Sequence, residues 1–299
     1  MNVRNILIIG RTGSGKSALA NLISGTTLFI ESANSVSKTK NIQIEVFPIN
    51  DDTKFRLIDT VGIGDTGFTE DEVLYKLAEA VYAIRNGLNQ IFFVVGGRFT
   101  KEEIEAYNLL KSVFFDEKID KYITIVRTKF PDFNNIVKCD EDTALMFNEN
   151  LELSNLLEKC NGVIHVNNLK YPEETSQKSR ERLREKLLDY LITYQGTYKP
   201  NNLDELNKMI SGNLFVCQKN RGKEKDLSKQ IADYSRGIED TAADNNELIA
   251  NLISILESIE KEREIIRKEI SDHEKEVAKK TKEFISWKQT INEAAKGIT

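Results

Sequence analysis

The run GRTGSGKS at residues 10–17 ends in Lys16-Ser17. Two glycines frame four residues ahead of a lysine and a hydroxyl, which is the spacing of a loop that grips phosphate. Backbone N–H groups can wrap a phosphate chain only where the main chain turns sharply and comes close, as Gly10, Gly13 and Gly15 permit. On this reading Arg11, Thr12, Gly13, Ser14, Gly15, Lys16, Ser17 and Ala18 line the phosphates. Lys16 is the catalytic cation at the β- and γ-phosphates, and Ser17 places its hydroxyl on Mg²⁺. A second element of the same chemistry is Asp59-Thr60-Val61-Gly62. Asp59 can hold Mg²⁺ through water, and the Gly62 N–H can sense a γ-phosphate.

Two further stretches bear on a phosphate switch. The polar segment 25–40 is rich in Ser, Thr and Asn, and a switch hydroxyl that reaches Mg²⁺ only in the triphosphate state belongs there. Ser37 and Thr39 are both candidates. The residue after Gly62 is Ile63, whose aliphatic side chain can neither donate to nor accept from an attacking water. Hydrolysis by one subunit is therefore expected to be slow unless Asp65, Thr66 or a partner chain substitutes.

The elements that must position these residues alternate along the chain. Apolar Ile6, Leu7, Ile8 and Ile9 form a strand into the loop, and 18–23 opens a helix whose N-terminus faces the anion. Ile42, Ile44 and Val46 pair with Phe55, Leu57 and Ile58 across the Asp51-Asp52 turn, a hairpin that gives a mostly parallel sheet one antiparallel edge. Thr69 and Glu72 have capping-box spacing for a helix over 69–86, and 88–95 is a buried strand. Gly96-Gly97-Arg98-Phe99-Thr100 then leads into a helix with Ile104, Tyr107, Leu110 and Phe114 on one face. Arg98 thus sits where a doubly wound sheet presents its crevice. A strand over 122–126, a helix over 139–159 (Leu145, Met146, Leu151, Leu153, Leu156 and Leu157 apolar), a strand over 162–166 and a helix over 174–194 follow. His165 reads as a satisfied core or edge histidine. The fold class is α/β: a P-loop nucleotidase domain with a mixed, mostly parallel sheet flanked by helices.

From 249 onward, positions 249, 252, 256, 259, 263, 266, 270, 273, 277, 280, 284, 287 and 291 step by three and four, and most are apolar. Arg263, His273 and Lys280 interrupt the seam. This is an all-α, coiled-coil-like extension that either folds back on the preceding domain or pairs with another chain.

The stretch FFVVGGRFTKEEIEAYNLLKSVF, in order with GRTGSGKS, SVSKTK and DTVG, resembles the conserved box of the AIG-type GTPases, the plant avirulence-induced-gene and vertebrate immunity-associated proteins related to septins. The resemblance covers 1–197, leaving 198–299 as the extension. It implies a G domain that binds GTP or GDP with Mg²⁺ and forms a homodimer across the nucleotide face in the GTP state. It also implies that Arg98 acts in trans on the partner's nucleotide, and that Thr128, Lys129 and Asn167 contact the base. One departure stands out: Arg127-Thr128-Lys129-Phe130-Pro131-Asp132 puts Pro131 where the usual guanine-reading motif has Asp. Asp132 comes one residue late, so guanine and adenine both stay open. A scaffold with negligible hydrolysis, gated by nucleotide, is the alternative to a slow GTPase.

The whole chain fits these expectations. Its 299 residues carry 42 basic and 47 acidic side chains, a net charge of −5, which argues against a generic nucleic-acid or anionic-membrane binder. Three separated cysteines suggest reduced thiols rather than a disulfide framework. No run is long and apolar enough to span a membrane, and a cytoplasmic location is expected.

Overall fold

The computed structural model describes residues 2–31, 42–62, 68–97, 99–114, 117–149, 151–167, 174–194, 196–199, 203–241 and 245–296. Among them six strands form one sheet in the order β2-β3-β1-β4-β5-β6: β1 (Asn2–Gly10), β2 (Gln43–Pro48), β3 (Thr53–Asp59), β4 (Gln90–Val95), β5 (Ile123–Arg127) and β6 (Val163–His165). Only β2 runs antiparallel, against β3, so the expected hairpin edge is present. Burial explains the residue types. Every residue of β4 is buried, and its run Ile91-Phe92-Phe93-Val94-Val95 is apolar on both faces because helices cover both.

Parallel register aligns the strand ends along one edge. Ile8 lies opposite Asp59, Gly10 opposite Val94, Val95 opposite Arg127, and Arg127 opposite His165. The phosphate loop, the Asp59 turn, the 96–100 loop and the 128–135 loop therefore leave the sheet on the same side, where an open α/β sheet forms its crevice.

Helices α1 (Lys16–Ser24) and α6 (Glu174–Thr193) cover one face. The other face carries α2 (Glu70–Ala83) and α3 (Lys101–Phe114). The Thr69–Glu72 capping box forms as expected, with Thr69 Oγ1 accepting from the Glu72 N–H and Glu72 accepting from the Thr69 N–H at 2.7 Å. The single helix expected over 139–159 is two, α4 (Ile136–Glu149) and α5 (Leu151–Lys159). Met146, Leu153 and Leu156 are buried, but Leu145 and Leu151, expected in the apolar set, are exposed.

Two long helices complete the chain, α7 (Leu203–Asp240) and α8 (Asn246–Lys296). They pack against each other, and both lie on α2. Of the two arrangements open in the sequence, the helices fold back. Leu206, Ile210, Leu214, Cys217, Val277, Ala278 and Phe284 share one continuous core with Leu74, Tyr75 and Leu77 of α2. His273, a break in the seam, meets Asn213 at 2.9 Å. The seam also shifts. Beyond Val277 the buried positions are Ala278, Thr281 and Phe284, while Trp287 and Ile291 are exposed. A helix that must face both α7 and α2 buries a wider stripe than a strict heptad.

Candidate phosphate and base site

The phosphate loop is shaped by close backbone approaches. A Cβ on Gly10 would lie 2.3 Å from the Val94 carbonyl oxygen. One on Gly96 would lie 2.8 Å from both Cα and O of Ser14, and one on Gly62 2.0 Å from Thr12 Oγ1 and 2.4 Å from Thr12 N. Three strand ends thus converge on the loop through glycines that leave no room for a side chain. Gly15, in the left-handed conformation at φ 95°, begins α1, and among the described residues no side chain caps that helix. Its first N–H groups face the loop in the manner of an anion site. Lys16 is buried and its Nζ donates to the Arg11 carbonyl at 2.9 Å.

Ser17 and Asp59 meet, with Ser17 Oγ donating to Asp59 Oδ2 at 2.6 Å. Asp59 is fully buried, and its Oδ1 has no hydrogen-bond partner among the described residues. Burial pushes the Asp59 carboxyl up to about 6, against the lowering pull of the Lys16 ammonium and the Ser17 hydroxyl. A buried carboxylate with one orphaned oxygen is unfavourable by itself. It fits a hard cation that prefers hydroxyl, carboxylate and water oxygens, which is the donor preference of Mg²⁺. Ser17 and Asp59 are the residues that would hold it, and the cation would supply positive charge beside the phosphates.

An ion pair absent from the sequence reading ties the loop to α3. Arg11 Nε lies 3.3 Å from Glu103 Oε1, with Glu103 buried. The other Glu103 oxygen accepts from the Thr100 N–H at 2.9 Å and from the Thr100 hydroxyl. Thr100 and Glu103 stand three residues apart, the spacing of a capping box, which accounts for the second contact; nothing local in the sequence points to Arg11.

On the far side of the crevice, Thr128 is buried and its hydroxyl donates to the Ser14 carbonyl. Lys129 adopts φ 56°, and its Nζ donates to the Gly13 carbonyl at 2.8 Å. Two consecutive side chains thus tie the 128–135 loop to the 10–15 loop. Asn167, just past β6, is buried on the same edge. Asp132, the displaced carboxylate, instead accepts from Lys138 Nζ at 2.8 Å, with both side chains about half exposed. His165 is buried as expected, and its Nε2 lies 2.9 Å from Asp142 Oδ2. Ser37, Thr39, Ile63, Asp65, Thr66 and Arg98 lie outside the described residues.

A family model described as the AIG1 family matches residues 4–211. The chain is 26% identical over 180 residues to immune-associated nucleotide-binding protein 13 of Arabidopsis thaliana, a stretch covering 60% of this chain and 52% of that protein. It is 31% identical over 132 residues to immune-associated nucleotide-binding protein 5 of the same plant, covering 42% and 40% respectively. The chain spans about half or less of the length of these curated relatives. Among solved structures, Toc33 from Arabidopsis thaliana in complex with Mg²⁺ and GMPPNP superposes with a TM-score of 0.46 at 13% identity, covering 66% of this chain and 88% of that one. Among the described residues, no helix is long and apolar enough to cross a membrane.

Proposed function

The chain belongs to the AIG1 family, and on that premise we propose that it is a Mg²⁺-dependent guanine-nucleotide-binding protein and slow GTPase whose state controls homodimerisation through the nucleotide face. The observation that carries this reading is the buried Ser17–Asp59 pair at 2.6 Å with its orphaned Asp59 oxygen, set beside Lys16 at the mouth of an uncapped helix. Residues 1–197 are the nucleotide-handling unit and 198–299 its helical extension.

In this reading the 10–18 backbone orients the β- and γ-phosphates, and Lys16 stabilises charge that spreads on the γ-phosphoryl oxygens. Gly62 senses the γ-phosphate, Ser37 or Thr39 closes over it, and Thr128, Lys129 and Asn167 face the base. Ile63 leaves the attacking water without a polar guide, so turnover is slow in one subunit. Arg98 of a second copy supplies the missing stabilisation, an effect worth about 10³ to 10⁵ in rate where arginines act in trans. Hydrolysis per molecule is expected to rise with protein concentration in the wild type and to lose that dependence in Arg98→Ala. A rate independent of concentration in both would sink the trans mechanism.

A second reading, relaxed purine specificity, is favoured by one contact: Asp132 is engaged by Lys138 at the surface. Without a carboxylate for the guanine N1–H and amine, adenine is not penalised by an unpaired group. Titration with fluorescent GDP, GTP, ADP and ATP, with Lys16→Ala as control, separates the readings. Guanine preference above about tenfold would exclude the second.

A further inference from the structure

The base loop is closed by a cluster of side chains that the phosphate chemistry does not use. Asp142 on α4 is approached at a single oxygen, Oδ2, by Arg127 Nε from the end of β5 at 3.3 Å and by His165 Nε2 from the end of β6 at 2.9 Å. With a carboxylate facing it, Nε2 carries the imidazole proton and donates. All three side chains are largely buried. Arg127 also donates from its NH1 to the Thr128 carbonyl at 3.3 Å.

Phe130 completes the cluster. Its ring centroid lies 4.8 Å from that of His165, the Arg127 guanidinium sits 5.7 Å from its centre, and its N–H donates to the Val166 carbonyl at 3.2 Å. The chain therefore leaves β5 at Arg127, passes through Thr128, Lys129 and Phe130, enters α4, and is pinned back to its starting point by Asp142. Lys129, held at φ 56°, lies inside this closed circuit. A non-glycine residue in that conformation costs free energy that its surroundings must supply. The guanine-reading carboxylate is missing at Pro131, so no side chain at that position fixes the loop by gripping a base.

We propose that Asp142 is a positioning residue for the nucleotide base: by holding Arg127 and His165 at one carboxylate oxygen it fixes the 128–135 loop, and so the part of the site that meets the base rather than the phosphates. This inference rests on the nucleotide-binding reading above, and it separates the two halves of the ligand. Phosphate affinity comes from the backbone N–H groups of the 10–18 loop; Thr128 and Lys129 bond that loop at the Ser14 and Gly13 carbonyls, which are no part of that N–H function, and Asp142 itself touches neither. Base affinity depends on the circuit.

The test compares Mg²⁺-loaded GDP with Mg²⁺-loaded inorganic tripolyphosphate on the full chain, wild type against Asp142→Asn, which keeps the volume and removes the charge. Loss of a charge-assisted contact predicts about tenfold weaker GDP binding with tripolyphosphate affinity unchanged. A general loss of structure would lower both, so the split identifies positioning. Should Asp142→Asn fail to fold, Phe130→Leu keeps the polar cluster and is expected to show the same selective loss. Equal affinities of wild type and variant for GDP, or equal losses for both ligands, overturn the inference and leave nucleotide binding standing. A wild-type chain that binds tripolyphosphate but neither GDP nor ADP overturns the nucleotide reading itself.

Discussion

Asp59 is a buried carboxylate whose cost to the free protein fits the cation-holding role proposed for it. Burial raises its carboxyl to about 6, so in the free chain the proton is held more tightly folded than unfolded. A raised pKa contributes stability below the unfolded value near 4, and that contribution is lost as pH rises through about 6. The difference corresponds to about 3 kcal/mol. Asp59→Asn is therefore expected to be more stable than the wild type to heat at pH 7 without Mg²⁺ and to lose that advantage near pH 4. It should bind nucleotide without the Mg²⁺ dependence of the wild type. Equal melting differences at both pH values would contradict this account. His165 behaves in the opposite sense. Burial lowers its imidazole below the usual value, opposed by Asp142 on α4 and assisted by Arg127 on β5 and Lys186 on α6. Stability from neutral His165 is present above pH ~6.5 and declines as pH falls through the lowered folded value. The loss should shrink in His165→Asn, as acid melting curves would show. Lys16 and Ser17 could be named as candidates from the local spacing of a phosphate loop and Asp59 from the DTVG run that ends its strand, and the structure brings Ser17 and Asp59 to 2.6 Å. The Arg127–Asp142–His165 cluster was not, because α4 returns to β5 only in the folded chain.

The same contrast holds between elements. Strands β1 to β5 could be read from apolar runs and α2 from its capping box, since both signals are contained within a few residues. The junction of α2, α7 and α8 could not. There Arg221 on α7 reaches Glu79 on α2 at 2.7 Å and Glu274 on α8 at 2.6 Å, with its guanidinium 5.2 Å from the Tyr75 ring centre. Glu79 is buried, so removing its cation leaves an uncompensated charge. Arg221→Met is expected to destabilise the chain by about 3 kcal/mol. Adding Glu79→Met should recover most of that loss, because a buried ion pair replaced by apolar side chains is often neutral. Urea denaturation of the two single variants and the double measures the coupling. Strict additivity would mean the contact contributes nothing. The seam shift beyond Val277 has the same origin: a heptad predicts the partner it sees along one stripe, whereas α8 also faces Tyr75 and Leu77.

At the scale of the whole molecule, the division at 197 that composition and resemblance suggest meets a core that runs across it. Leu206, Ile210 and Leu214 of α7, with Val277 and Phe284 of α8, are buried in the same cluster as Leu74, Tyr75 and Ala78 of α2 and Ile91 and Phe93 of the sheet. Tyr198 also joins the sheet, bridging to Leu88 by reciprocal backbone hydrogen bonds of 2.8 and 2.7 Å. A chain ending at residue 199 would keep every described residue of the phosphate and base loops but lay bare the α2 face. Exposed apolar patches of that kind drive association. The truncated chain is therefore expected to bind a hydrophobic dye, to melt at a lower temperature than the full chain and to aggregate on heating. Any nucleotide it binds should still require Lys16. The full chain should unfold in one transition, because the sheet and the α7–α8 pair share a core. Two separate transitions in calorimetry, the first abolished by truncation, would instead show that α7 and α8 form an independent body resting on the domain.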